Sequence, residues 1–386
     1  MSKVLVGLSG GVDSAVAAYL LKKAGHEVIG VMLRTWSSTE GQEDDSDIVV
    51  EQNKCCEIDD ARAVAFKLGI DFYPINCVKD FYEKVIEPFV SEYTLGRTPN
   101  PCIECNRYVK FERLLYFADI MKADYIATGH YARIVQLPNG RYTVKKSGAD
   151  KKDQTYMLYK LSQDQLKRVM FPLGELDKEK VREIAKEAGI PVAEKKDSQE
   201  ICFIPDDDHA AFIMRHIERN GLGTKSNVGT DVSLGENGNI DDYSICNSGD
   251  FVDKDGKVLG KHKGIINYTI GQRKGLGIAM GHPVYVTGLD PENNRVIVGE
   301  EEDLFSSECF VKDYNFLSID DLKQGESVTA RVKIRYHHAG EECVIEKTGD
   351  GRLKLTFAKP VKSITPGQSA VFYDNNNCVL GGGIIA

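Results

Sequence analysis

At 386 residues the chain is too long for one ordinary core, so two or three domains are expected. Its 42% hydrophobic and 28% charged content is that of a globular protein in water, and no apolar run is long enough to span a bilayer. A net charge of −9 argues against a generic nucleic-acid binder while leaving room for local basic patches.

The first strand is an apolar, β-branched run, Val4-Leu5-Val6. It leads into Gly7-Leu8-Ser9-Gly10-Gly11-Val12-Asp13-Ser14 and a helical pattern over 15–23 closed by Gly25. Strand, Gly-rich turn and helix is the arrangement that aims backbone N–H groups and a helix N-terminus at an anion. Gly10 and Gly11 lack a Cβ, so a phosphate can approach the main chain. Ser9 and Ser14 add hydroxyls, and Asp13 is placed to hold a metal on the phosphates. No Gly-Lys-Ser/Thr ending follows, which separates this turn from the ordinary P-loop. Residues 26–33 read as a second buried strand. Residues 35–53 are polar and acidic without a usable period and predict a loop beside the nucleotide. Trp36 at its root is either a stacking platform or a hydrophobic anchor. Helix 57–68, strand 71–76 and helix 79–93 continue the alternation. The fold class is therefore α/β, a doubly wound, mainly parallel sheet with ligands at the carboxyl ends of its strands.

Two prolines in Gly96-Arg97-Thr98-Pro99-Asn100-Pro101-Cys102-Ile103-Glu104-Cys105-Asn106-Arg107 predict a non-helical loop, with a helix resuming near 109–121. A Cys-x-x-Cys just before a helix puts Cys105 near the positive end of the dipole and lowers its pKa. Strand 124–129 ends in Thr128-Gly129-His130-Tyr131. Gly129 there suits close approach by a nucleotide, and His130 is either catalytic or structural. Lys145, Lys146, Lys151 and Lys152, against only Asp150 and Asp153, are either a solvated charge run or a phosphate-contacting patch. Two helices over 161–189 surround Phe171-Pro172. A polar turn from Lys195 then enters a short apolar strand carrying Cys202.

From about residue 215 Gly and Asn rise and the β/α alternation stops. Asp253-Lys254-Asp255-Gly256-Lys257 predicts a hairpin turn, and Lys261, Lys263, Arg273 and Lys274 mark a basic, Gly-punctuated segment. Strand patterns at 284–287, 295–298, 327–336, 353–357 and 370–373 predict a small antiparallel barrel. Three parts are expected: a nucleotide domain at 1–212, a small linking domain at 213–285 and a C-terminal β-barrel at 286–386.

With no basic-then-apolar leader at the start of the sequence, the ten cysteines read as reduced thiols of a cytoplasmic protein. Cys77, Cys246, Cys309, Cys343 and Cys378 sit among apolar or strand residues and read as small buried hydrophobes. Cys102, Cys105 and Cys202 lie in polar, turn-rich sequence and are singled out. No second Cys-x-x-Cys completes a zinc site, and adjacent Cys55-Cys56 lack the spacing.

The turn at Ser9-Gly10-Gly11-Val12-Asp13-Ser14 resembles that of the PP-loop ATP pyrophosphatases. The whole chain resembles the tRNA-specific 2-thiouridylase (MnmA/TrmU) family. That likeness rests on the first loop, Gly96 to Asn106, Ala127 to Tyr131, Lys152-Asp153-Gln154, Asp197 to Ile204, Tyr268 to Gly277, Arg335-Tyr336 and Thr365-Pro366-Gly367-Gln368-Ser369-Ala370. The resemblance implies that ATP, with Mg2+, binds at Gly7, Leu8, Ser9, Gly10, Gly11, Val12, Asp13 and Ser14, with Leu33 and Gly129 lining the adenosine pocket. ATP then adenylates the 2-oxo oxygen of the wobble uridine of certain tRNAs. A persulfide on Cys202, loaded by a cysteine desulfurase or sulfur-relay protein, delivers sulfur. Cys105 is the nucleophile that releases it, leaving a transient Cys105–Cys202 disulfide. Such transfer needs thiolates, so depressed pKa values are expected at both.

By the same resemblance Asn100, Pro101 and Cys102 approach the target base, turned out of its stack, while Lys152, Asp153, Gln154, Arg335 and Tyr336 contact tRNA. Lys261, Lys263, Arg273, Lys274 and Arg335 are expected as phosphate contacts of a clamp formed by the second and third parts. One departure stands out. Many relatives carry Asp where this chain has Cys102, so an acid/base role does not transfer unchanged. Three converging cysteines, Cys102, Cys105 and Cys202, also admit a [4Fe-4S] cluster with one open iron site. Two other readings stay open. Another PP-loop enzyme, of lysidine synthetase or amidotransferase type, needs no cysteine pair. An ATP-gated tRNA-binding or redox-sensing protein makes no AMP and pyrophosphate. A monomer is expected, since no long exposed apolar stripe asks for a partner.

Overall fold

The computed structural model describes residues 1–35, 56–148, 152–195, 201–204, 207–219 and 243–386. Trp36 with the rest of its loop, Cys55, Lys151 and the 196–200 turn lie outside the described residues.

Strands β1 (Lys3–Gly7), β2 (Glu27–Arg34), β3 (Asp71–Asn76) and β4 (Tyr125–Ala127) are parallel. A hairpin of β5 (Ala132–Gln136) and β6 (Tyr142–Lys146) follows, and β7 (Val169–Met170) then joins the first sheet, giving the order β3-β2-β1-β4-β7. Val4, Leu5 and Val6 are fully buried because both faces of a parallel sheet are covered. On one face lie α1 (Val12–Lys23), α2 (Cys56–Leu68) and, later in the chain, α8 (Lys178–Glu187). Small residues on α1, Ala15, Ala17 and Ala18, let it seat closely on the strands. The other side receives a long helical run: α3 (Val78–Phe81), a π-helical turn Tyr82–Ile86 and α4 (Glu87–Thr94), then α5 (Pro101–Glu104), a second π-helical turn Cys105–Phe111 and α6 (Glu112–Ile120). Short α7 (Gln163–Leu166) precedes β7. Helix α9 (His209–Arg219) packs Phe212, Ile213 and Ile217 into the core that holds Phe81 and Phe89.

Sheet order places the switch point between β1 and β4. The chain runs from β1 outward through β2 and β3, then returns to the other flank of β1. A crevice opens there beyond the carboxyl ends of the strands.

Three expectations need correction. The Cys-x-x-Cys does not precede a helix but lies inside one. The Asn-Pro step, read as a breaker, is an N-cap and first-turn pair: Asn100 Oδ1 accepts from Cys102 N at 3.2 Å, and Pro101 starts the helix without needing a donor. Cys102, not Cys105, therefore lies in the first turn. The strand pair expected to open the barrel, β10 (Tyr285–Asp290) with β11 (Arg295–Gly299), belongs instead to a four-stranded sheet with β8 (Gly249–Val252) and β9 (Val258–His262). The barrel itself closes from six strands: β12 (Phe305–Phe316), β13 (Ser327–Lys333), β14 (Glu341–Lys347), β15 (Leu353–Lys362), β16 (Ser369–Tyr373) and β17 (Val379–Ile385). Strand β17 escaped notice because its centre is Gly381-Gly382-Gly383. Those glycines are needed for close approach: a Cβ on Gly382 would stand 2.7 Å from the Tyr159 ring, and one on Gly383 2.4 Å from Val311 Cγ1.

The barrel is docked against the cysteine-bearing segment. Thr98 N donates to Pro366 O at 2.9 Å, and Gln368 Nε2 to Thr98 O at 2.7 Å. Lys160, 7% exposed, binds Glu104 Oε1 and Asp313 Oδ2, each at 2.7 Å, and so ties α5 to β12. Lys160→Met takes this partner from Glu104 and leaves Asp313 only its longer, 3.6 Å pairing with Arg107. Because both retain solvent access, the cost should be about 1–3 kcal/mol, below that of breaking a fully buried pair. A fall of that size in unfolding free energy from urea titration is the expected result. No change would mean that apolar packing alone holds the barrel in place.

Candidate active site

The nucleotide loop is built as the sequence suggests. Gly10 has φ +71°, in the left-handed region that favours glycine, and Gly11 is the N-cap of α1. Ser14 Oγ accepts from Ser9 N at 3.1 Å and donates to Gly11 O, which fixes the turn. Gly7, at the end of β1, Leu33, near the end of β2, and Gly129, just past β4, share the carboxyl edge of the sheet. Gly129 lies against the first turn of α1: a Cβ there would be 2.7 Å from the Asp13 carbonyl carbon and from Ser14 N.

Asp13, expected to hold a metal, has Oδ1 engaged by Lys178 Nζ and by Tyr131 OH, each at 2.7 Å. Coordination through that oxygen requires Lys178 to let go. Lys195 Nζ reaches Gly10 O at 3.1 Å and Asp60 Oδ2 at 2.7 Å. Two ammonium groups thus border the loop, a fitting environment for polyphosphate. Sequence reasoning passed over Lys178, whose only signal was its place in the first turn after the N-cap Asp177.

The three chosen cysteines are differently exposed: Cys102 and Cys202 face solvent, and Cys105 is 7% exposed. Cys105 shares a core with Val109, Phe203 and Ile204, and Ile201 packs against it, so the residues flanking Cys202 on both sides meet the Cys105 core. The expected depression of the Cys105 pKa is not seen. Burial pushes this thiol up, Lys110 pulls it part of the way back, and Cys102 adds to the rise. His130 is held to about 3, by burial first and then by Lys110, so its imidazole is neutral near pH 7. Its Nδ1 lies 2.7 Å from Thr128 Oγ1 and its ring packs on Phe111 at 5.6 Å, the structural of its two readings. Among the described residues no group of three His, Cys, Asp or Glu side chains is arranged to hold a metal ion, which gives the cluster reading of Cys102, Cys105 and Cys202 no support.

Of the residues expected on the RNA side, Arg335 is exposed, and Asn100, Lys152, Gln154 and Tyr336 are half-buried. Pro101 and Asp153 are buried, and the Asp153 carboxylate accepts from Thr155 Oγ1 at 2.8 Å. Tyr336 OH donates to Asp153 O at 2.9 Å, which brings the barrel's Arg335-Tyr336 to Lys152-Asp153-Gln154. Beside them a cleft of about 380 Å³ is lined by Lys146, Arg331, Lys333 and His338. Gln154 Oε1 accepts from Tyr131 N at 2.9 Å, and the Tyr131 hydroxyl is on Asp13, so this face is wired to the nucleotide loop. Lys261, Lys263, Arg273 and Lys274 are all exposed, although Lys261 is paired with Asp250 at 2.7 Å.

A parallel sheet with this loop at its switch point defines an ATP-using enzyme of the PP-loop class. Residues 2–206 match the model for the tRNA methyl transferase HUP domain, 238–300 that for the tRNA methyl transferase PRC-barrel domain, and 306–385 that for the aminomethyltransferase beta-barrel domain. The chain is 47% identical over 388 residues to the tRNA-specific 2-thiouridylase MnmA of Lachnoclostridium phytofermentans, covering 100% of both chains. It is 48% identical over 386 residues to that of Clostridium acetobutylicum, covering 99% of each. The chain belongs to the tRNA-specific 2-thiouridylase family. No helix among the described residues is long and apolar enough to cross a membrane.

Proposed function

We propose that the chain is an ATP-dependent tRNA sulfurtransferase that converts the wobble uridine to 2-thiouridine. The observation that carries this reading is the bridge made by Thr128-Gly129-His130. Gly129 abuts the nucleotide loop, and the next residue, His130, stacks on Phe111 at the end of the turn that begins with Cys105. This link from the loop to the cysteine-bearing turn supports a reading in which activation and sulfur transfer share one site.

The uridine 2-oxygen attacks the α-phosphorus of Mg–ATP, and pyrophosphate leaves while held by the loop amides, Lys178 and Lys195. A persulfide on Cys202, supplied by a cysteine desulfurase or relay protein, attacks C2 through its outer sulfur and expels AMP. Cys105 thiolate then attacks Cys202 Sγ. The S–S bond breaks, its electron pair stays on the sulfur bound to C2, and a Cys105–Cys202 disulfide forms, which a thiol reductant later opens. Cys202 is exposed and so open to a donor protein, whereas Cys105 is covered, which keeps the resolving thiol from other oxidants.

Single-turnover reaction of the protein with tRNA, ATP and a persulfide donor tests this. Formation of 2-thiouridine in step with AMP and pyrophosphate is expected. AMP formation with no sulfur in the tRNA would sink the sulfurtransferase reading. For the RNA face, replacing Lys263, Arg273, Lys274 and Arg335 together by Ala should flatten the dependence of log affinity on log salt by roughly 0.9 per lost phosphate contact. An unchanged slope would discredit the clamp.

A further inference from the structure

Tyr131 has no part in the reaction above, yet it touches both the nucleotide loop and the face expected to meet RNA. Its hydroxyl donates to Asp13 Oδ1 at 2.7 Å, the oxygen that Lys178 Nζ also reaches at 2.7 Å. Its main chain is clasped on both sides by one residue. Tyr131 N donates to Gln154 Oε1 at 2.9 Å, and Gln154 N donates to Tyr131 O at 3.1 Å. Gln154 leads into the turn Thr155–Leu158, and the barrel holds this stretch at three points. Tyr336 OH donates to Asp153 O at 2.9 Å, Tyr156 OH donates to Ser369 O at 2.7 Å, and Thr155 Oγ1 lies 3.2 Å from Tyr373 OH. The two donors on Asp13 differ in kind. Lys178 carries a point charge on a flexible stem at the border of the loop, so an arriving polyphosphate attracts it. Tyr131 is a neutral phenol, 2% exposed, on a ring packed into the core that α1 covers.

We propose that Tyr131 is a positioning residue that couples tRNA docking to nucleotide binding. Its hydroxyl keeps the Asp13 carboxylate in place once Lys178 has moved to the polyphosphate. Its main chain takes its own position from the Lys152-Asp153-Gln154 stretch. This rests on the sulfurtransferase reading only for the RNA being tRNA. An RNA that fixes residues 152–154 fixes Tyr131, and so favours the arrangement in which Asp13 is set for Mg–ATP. By linkage the nucleotide then tightens the RNA by the same factor.

The test is calorimetric titration of the full chain with α,β-methylene-ATP and Mg2+, an analogue that cannot transfer AMP. It is run with and without a saturating, unmodified wobble-uridine tRNA transcript. In wild type the tRNA should tighten the analogue about fivefold or more, the lower end of ordinary coupling between sites. Tyr131→Phe keeps the buried ring and removes the hydroxyl, and there the ratio should fall to about one. A residue that only supports the fold would weaken both titrations alike. A wild-type ratio surviving in folded Tyr131→Phe would therefore overturn the proposal, as would a ratio of one in wild type. Gln154→Met removes the acceptor at the other end of Tyr131. It should lose the ratio as well, and it stands in if Tyr131→Phe does not fold. A ratio lost on substitution, in a protein whose wild type never thiolates the tRNA, would leave the coupling standing and sink the earlier reading instead.

Discussion

Cys202→Ala and Cys105→Ala should each abolish 2-thiouridine formation, by on the order of a thousandfold or more, while tRNA-dependent pyrophosphate release stays near the wild-type rate. The two thiols act in sequence on one sulfur, so the double variant should be no worse than either single one. Their failures differ in kind. Without Cys202 no sulfur arrives, and AMP remains on the base until water removes it. Without Cys105 the sulfur arrives but is not released, so tRNA accumulates as a disulfide adduct on Cys202 that an added thiol frees. Gel mobility with and without reductant separates the two cases. Burial raises the Cys105 pKa, so its thiolate fraction grows as pH rises through the alkaline range. The release step should therefore accelerate with pH where adenylation does not. A Cys105→Ala protein that releases 2-thiouridine at the normal rate would remove this residue from the mechanism.

The strand, turn and helix of the candidate nucleotide loop were legible because their signals are local. An apolar run, a Gly-rich turn and an alanine-rich helix follow one another without interruption, and the residues expected to meet phosphate are those that shape the turn. The cysteine half was legible in composition but not in geometry. Asn100-Pro101 reads as a break, although the same dipeptide also caps a helix, and only the Asn100 side chain turned back onto Cys102 N decides between them. The π-helical turn Cys105–Phe111 was hidden for a related reason: nothing local announces an i to i+5 bond pattern. Two-residue β7 is too short to carry a period, and glycine-rich β17 has none.

Contacts between distant segments were beyond reach. Thr365-Pro366-Gly367-Gln368-Ser369 could be noted as a motif, but its partners are Thr98, Tyr156 and Tyr159, far back in the chain. The barrel therefore has a second duty that its strand pattern conceals. Besides its expected contact with RNA, it braces the segment that presents Cys102 and Cys105. Lys160, between Glu104 and Asp313, does the same from the other side.

Gly129→Ala should weaken ATP binding by at least about tenfold and lower stability by about 1–3 kcal/mol, the usual cost of forcing a methyl into packed structure. The added Cβ would sit 2.7 Å from the Asp13 carbonyl carbon and from Ser14 N, and 3.0 Å from Asp13 O. These are main-chain atoms in the first turn of α1, so no side chain can swing aside. Either α1 retreats, withdrawing the amides that face the phosphates, or the strand end moves and takes His130 off Phe111 and the cysteine turn with it. Both routes harm catalysis. The first raises the ATP dissociation constant, and the second also slows sulfur transfer at saturating ATP. Gly140→Ala is the matched comparison. Gly140 has φ +82° with nothing near its would-be Cβ, so that variant pays only backbone strain and should bind ATP as wild type does. Calorimetric titration of both variants with ATP separates crowding from strain. Wild-type affinity in Gly129→Ala would mean that α1 yields without cost, and that the phosphate cradle does not depend on how closely β4 approaches it.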